Sequence, residues 1–231
     1  MKEERVFFPS GGIRLEGLLN MHEALSVRGG MILCHPHPQF GGDMHNTVIS
    51  TTAETAWQEG FSTLRFNFRG VGESEGTYGE GIGEQEDVKA AIDFFSARQN
   101  EPPRLLIVLG YSFGAWAGLP VAMKDERVNG LIAIAPPLQM MDFDPSTASS
   151  SALKSRVSGT LRINFLMGSE KQKLVIAGTR DLFCPALDLE KWFHALSEPK
   201  SLSIIQGADH FFSFHANLLI QPLQEFLKKF Y

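Results

Sequence analysis

The chain has 231 residues, 43% of them hydrophobic and 20% charged, with a formal net charge of −5. That length and balance fit one α/β domain with a well-buried core, and they exclude disordered or collagen-like chains. The acidic balance leaves no basic stripe for nucleic acid or an anionic membrane surface.

The elements alternate along the chain. Val6-Phe7-Phe8 and Ile13 to Leu19 flank Pro9-Ser10-Gly11-Gly12, turn chemistry that predicts an opening antiparallel hairpin. A strand at Met31 to Cys34 precedes a helix at Thr47 to Glu59, and a strand at Phe61 to Phe68 precedes a helix at Glu84 to Arg98. The apolar run Leu105 to Leu109 reads as a strand buried on both faces, followed by a helix at Phe113 to Met123 that Pro120 should kink or shorten. Strands at Leu131 to Ala135, Lys173 to Ala177 and Leu202 to Ile205, with a helix near Leu187 to Leu196, complete the alternation, and Ala216 to Phe230 reads as a closing amphipathic helix. Such alternation predicts a mostly parallel eight-stranded sheet covered by helices on both faces, one domain over residues 1–231. Residues 138–172 break the rhythm, and a connection of that length is expected to be a cap or lid insertion or a surface loop.

The pentapeptide Gly110-Tyr111-Ser112-Phe113-Gly114 stands at a strand-to-helix junction, the setting of an activated serine. A second G-x-S-x-G match, Gly72-Glu73-Ser74-Glu75-Gly76, runs into more glycine with no helix start, and its flanking carboxylates would oppose a developing oxyanion. Ser112 is therefore the candidate nucleophile. A serine hydroxyl needs a base, and the base needs an orienting group. His210 follows the last strand at the same sheet edge and is preferred over His215, while His22 and His194 read as structural or solvated. Asp181, in Gly178-Thr179-Arg180-Asp181, follows the penultimate strand and is the expected acid. Asp209 is a rival, but neighbouring side chains in extended chain point apart, and Asp188 falls within a helix pattern. The order Ser112, Asp181, His210 is nucleophile, acid, base.

An oxyanion needs two donors. One is the Phe113 N–H; the second is sought in His35-Pro36-His37-Pro38-Gln39-Phe40, where prolines cannot donate and His37, Gln39 and Phe40 remain, with His37 favoured. Phe40, Tyr111, Phe183 and Phe211 are candidates for lining an apolar substrate pocket. His35, His37, Asp43 and His45 admit a rival reading as a hydrolytic metal cluster, although no further ligands at matching spacing complete it; His35 reads better as a histidine that holds the loop in shape.

Together, the His35 loop, the turn Asn67 to Gly76, the Ser112 elbow and the Asp181 and His210 loops resemble the α/β-hydrolase superfamily of serine hydrolases, in particular a small bacterial dienelactone-hydrolase-like branch with a His-Pro-His-Pro loop. The resemblance covers nearly the whole chain. It implies hydrolysis of a small ester or thioester through an acyl-enzyme, with a variable cap at 138–172 and no cofactor. Dienelactone hydrolases themselves use cysteine where this chain has Ser112. The same triad serves peptidases and amidases, and a non-catalytic module on the same fold is the alternative of another class. The expected partner is a small-molecule ester, with no nucleic acid and no membrane, and a homodimer is compatible with the sequence. Cys34 and Cys184 are far apart and outside any C-x-x-C pair, which fits free thiols, with one disulfide as the alternative. Met1 to Arg5 lacks the apolar core of a signal peptide, and no apolar stretch reaches about 18 residues, so the expected location is cytoplasmic.

Overall fold

A computed structural model of the chain describes residues 3–22, 27–98, 105–139 and 168–230. The expected insertion therefore lies mostly outside the described residues. Eight strands form one sheet: β1 (Glu4–Ser10), β2 (Ile13–Asn20), β3 (Gly29–Cys34), β4 (Phe61–Phe66), β5 (Leu106–Tyr111), β6 (Gly130–Ile134), β7 (Gln172–Gly178) and β8 (Lys200–Ile205). Their spatial order is β1-β2-β4-β3-β5-β6-β7-β8. The opening hairpin pairs antiparallel, β2 pairs antiparallel with β4, and every pair from β4 to β8 is parallel.

Helices α1 (Thr47–Gln58), α2 (Ile82–Ala97), α3 (Phe113–Lys124), α4 (Ala186–Ala195) and α5 (Ile220–Leu227) cover the sheet. The twofold alternation of strand side chains divides β5 between two cores. Leu106 and Val108 pack with Val88, Ile92 and Phe95 of α2, Ala115 and Leu119 of α3 and Trp192 of α4. Ile107, Leu109 and Tyr111 face Val48 and Ile49 of α1 and Leu223 and Phe226 of α5. All six residues of β3, β4 and β5 are buried, as strands sandwiched between helix layers must be.

Two expectations are corrected. α3 is not shortened at Pro120 and runs on to Lys124, because eight of its twelve residues are buried and that packing outweighs one lost backbone bond. The closing segment is not one helix. A 3₁₀ turn at Ala216–Leu219 leads into α5, and a second follows at Lys228–Phe230. The third residue of α5 is Pro222, whose missing N–H costs no intrahelical bond in a first turn, which fits a helix that starts anew at Ile220.

The order β4-β3-β5 places a topological switch at β3, since the chain leaves β3 for β4 on one side and reaches β5 on the other. Open α/β sheets bind ligands in the crevice at the carboxyl ends of such strands. Cys34 is in register with Gly110, so the loop after β3 and the elbow after β5 emerge side by side.

Candidate active site

Ser112 occupies the N-cap of α3 at φ 51°, ψ −118°, a positive-φ conformation that side chains rarely adopt. Strain of this kind persists only when the surroundings hold it. Its N–H donates to the Ile134 carbonyl at 2.9 Å, and its own carbonyl accepts from Ala115 at 2.9 Å and Trp116 at 3.3 Å. The flanking glycines are steric necessities: a Cβ on Gly110 would collide with the Ala115 backbone, and one on Gly114 with the Cys34 carbonyl. The elbow can therefore lie against the β3 loop only with glycine at both positions.

The Ser112 Oγ stands 2.9 Å from His210 Nε2, and His210 Nδ1 is 2.9 Å from each oxygen of Asp181. A carboxylate only accepts, so Nδ1 carries the imidazole proton and Nε2 presents a lone pair to the serine hydroxyl. Asp181 is itself fixed, its Oδ1 accepting the N–H groups of Phe183 at 2.8 Å and Cys184 at 2.9 Å. All three residues are buried, with Ser112 at 8% exposure. Within the described residues, the structure thus brings together the three side chains expected from the sequence.

The loop that carries His210 is anchored from two sides that sequence reading missed. The Tyr111 hydroxyl donates to the His210 carbonyl at 2.9 Å, and Tyr111 is buried, so it supports this loop rather than lining an open pocket. The rival acid Asp209 is engaged elsewhere; its Oδ1 accepts the N–H groups of Phe211 at 3.1 Å and Ser213 at 3.0 Å, bonds that hold its carboxyl below the usual carboxylate range. Nothing in sequence order marks Tyr111 as a partner of a loop 99 residues away.

On the opposite side, the loop after β3 turns through a 3₁₀ element at Pro38–Phe40 capped by His37, whose Nδ1 accepts the Gln39 N–H at 3.2 Å. The Phe40 N–H bonds the His37 carbonyl at 3.1 Å. Of the three donors proposed for this loop, only the His37 N–H has no backbone or side-chain acceptor among the described residues; the Phe113 N–H, at the start of α3, is likewise without one. The His37 ring also packs against Phe113 at 4.8 Å and Tyr78 at 5.2 Å between centroids. Phe40 leans on it from outside, 76% exposed.

His35 is fully buried and spends both ring nitrogens on the fold. Nδ1 donates to the Pro36 carbonyl at 2.6 Å, and Nε2 accepts the Phe68 N–H at 3.0 Å. No lone pair is left for a metal, and among the described residues no group of three or more His, Cys, Asp or Glu could hold one. Desolvation of the imidazolium, its dominant cause, pushes the His35 pKa down from 6.5 to about 4. The unfolded chain takes up this proton near pH 6.5 and the folded chain only near 4, so the contribution of His35 to stability is complete above 6.5 and is lost as pH falls toward 4. The loss amounts to roughly 3 kcal/mol. Urea midpoints are expected to drop between pH 7.5 and 4.5 in the native protein and to drop less in His35→Gln, which is weaker at neutral pH; equal slopes in the two proteins would remove His35 from this role.

Ser74, in the second serine match, is a structural residue: its hydroxyl donates to the Asn67 carbonyl at 2.7 Å and accepts the Glu16 N–H at 2.9 Å. Cys34 and Cys184 are free, buried thiols, and burial raises both pKa values. Among the described residues no helix is long and apolar enough to cross a membrane. A surface hollow lined by Met123, Asn129 and Lys171 lies at the amino ends of β6 and β7, the far edge from Ser112.

Comparison with known proteins agrees with this architecture. An uncharacterized protein of Rickettsia prowazekii, RP471, is 29% identical over 96% of this chain and 88% of its own length. A structure described as an alpha-beta serine hydrolase homologue from Coxiella burnetii superposes with a TM-score of 0.79 at 28% identity, covering 97% of both chains. XC6422 of Xanthomonas campestris, described as a serine hydrolase without lid, gives a TM-score of 0.79 at 28% identity over 99% of this chain and 95% of its own. Residues 26–175, which include the Ser112 elbow but neither Asp181 nor His210, match the family described as "Serine aminopeptidase, S33". The chain belongs to that family of hydrolases, within the α/β-hydrolase superfamily of serine hydrolases.

Proposed function

We propose that the protein hydrolyses a small carboxylic ester or thioester through a Ser112–His210–Asp181 triad and an acyl-enzyme. The carrying observation is the unbroken relay from the Ser112 Oγ through both His210 nitrogens to a fixed carboxylate, each link at 2.9 Å. In acylation, Ser112 Oγ attacks the carbonyl carbon as His210 Nε2 takes its proton. The oxyanion is received by the Phe113 and His37 N–H groups, neither of which has a protein acceptor among the described residues. His210 then returns the proton to the departing alcohol, and in deacylation it activates water. Asp181 holds the tautomer throughout and stabilises the imidazolium.

The family description favours a second reading, amide cleavage by the same groups. The native protein is expected to turn over p-nitrophenyl acetate and butyrate, in the presence of EDTA as in its absence, far faster than aminoacyl p-nitroanilides. The reverse preference would move the assignment to a peptidase, and loss in EDTA with recovery on adding zinc would revive the His35, His37, Asp43 and His45 cluster.

A further inference from the structure

His210 sits between two phenylalanines that the proton relay does not use. Phe183, two residues beyond Asp181, meets the imidazole edge-on with centroids 4.7 Å apart and planes at 72°. Phe211 meets it at 5.5 Å and 88°, and the two phenylalanines meet each other at 6.4 Å and 83°. These are edge-to-face contacts of a joined aromatic cluster. Phe211 is nevertheless 65% exposed, and the adjoining Leu182 is 81% exposed.

The chain does not lack a way to bury a ring here. Phe212, the very next residue, is 2% exposed and packs on Tyr111 at 6.3 Å. Holding Phe212 in and Phe211 out takes an unusual backbone: Phe212 has φ 51° and Phe214 φ 61°, values that bulky residues avoid. The Asp209 carboxylate secures that turn through the Phe211 and Ser213 N–H groups. Local strain of this kind gathers at functional sites.

Chemistry says what such a surface would meet. When the acyl C–O bond breaks, the alkoxy oxygen must lie within hydrogen-bond reach of His210 Nε2 to collect the proton that came from Ser112. The group attached to that oxygen therefore lies against whatever surrounds the His210 ring. The opposite, oxyanion side has rings of its own, Phe40 and Phe113 against His37, together with the Tyr78 hydroxyl 3.4 Å from His37 Nε2, but they surround the His37 ring and not the His210 imidazole that protonates the leaving oxygen. We infer that Phe183 and Phe211 form the subsite for the alcohol half of the substrate, and that this alcohol is aromatic or similarly bulky and apolar; the inference rests on the serine-hydrolase reading above. Acylation then transfers the acyl group to Ser112 Oγ and releases a neutral apolar alcohol over this aromatic pair.

The test varies the alcohol at constant acyl group: ethyl butyrate against 2-phenylethyl butyrate, alcohols of similar acidity that leave the same butyryl-enzyme. Because deacylation is common to both, the ratio of kcat/KM values reports the alcohol subsite alone. The native protein is expected to favour the phenylethyl ester by roughly tenfold or more, the reach of one or two aromatic contacts. Phe211→Ala, at an exposed position, and Phe183→Leu, which keeps apolar volume, should each cut that ratio several-fold. A native ratio near unity, or a ratio that survives both substitutions, overturns the subsite while the triad stands. No turnover of either ester, with no labelling of Ser112 by a fluorophosphonate, overturns both.

Discussion

Replacing Ser112 by alanine is expected to lower kcat/KM for short p-nitrophenyl esters by about 10⁶-fold, to the residual rate that an oxyanion hole and binding alone supply. The size of the effect follows from the geometry. Ser112 is the one hydroxyl within hydrogen-bond distance of His210 Nε2 among the described residues, at 2.9 Å, and the elbow holds it at φ 51° with both neighbouring glycines locked by steric contact. Alanine keeps the Cβ and the backbone path, so the fold should survive and the loss should be chemical. Circular dichroism and urea midpoints check the fold; steady-state kinetics check the loss. Alanine at Ser74, a buried loop residue bonded to Asn67 and Glu16, is a contrast for stability only, since its hydroxyl holds a turn rather than a reacting atom.

Asp181→Asn should cost about 10⁴-fold in kcat with the fold intact. Asp181 Oδ1 accepts two backbone N–H groups, from Phe183 and Cys184, so an asparagine would keep its oxygen there and turn its NH₂ toward His210 Nδ1. An NH₂ donates where the carboxylate accepted. His210 Nδ1 would have to become the acceptor, which moves the imidazole proton to Nε2 and points it at Ser112 Oγ. The base is then lost although every heavy atom can keep its place. Kinetics at constant pH, with the urea midpoint as control, measure this; a loss below about tenfold would contradict the assignment of Asp181 as the orienting acid.

Much of this arrangement is legible in the sequence because each of the three residues lies at or in the loop that follows a strand of the alternating pattern. Parallel strands put all such loops at one edge, so Ser112 after β5, Asp181 after β7 and His210 after β8 converge without any contact being known. The Gly110 and Gly114 spacing is legible for a different reason: close backbone approach tolerates no other residue. What stays hidden depends on pairs distant along the chain. The Tyr111 hydroxyl reaches a carbonyl 99 residues away, and its aromatic ring reads equally as pocket or core until the strand register turns it toward α1 and α5. Pro120 misleads because local propensity predicts a kinked or shortened helix, whereas the burial of α3 against the sheet and α2 decides its length. The role of His35 is half legible: its loop is marked by two prolines, but the Phe68 N–H that occupies Nε2 belongs to another loop.

The most direct measurement is a fluorophosphonate reaction followed by intact-mass and peptide mass spectrometry. One phosphonyl group should add to the native protein, on the peptide that contains Ser112, because the probe requires a serine whose proton is drawn off by a base such as His210. Ser112→Ala should show no addition, and His210→Ala should react far more slowly. Labelling that persists in Ser112→Ala, or that maps to another residue of the native protein, would contradict Ser112 as the nucleophile.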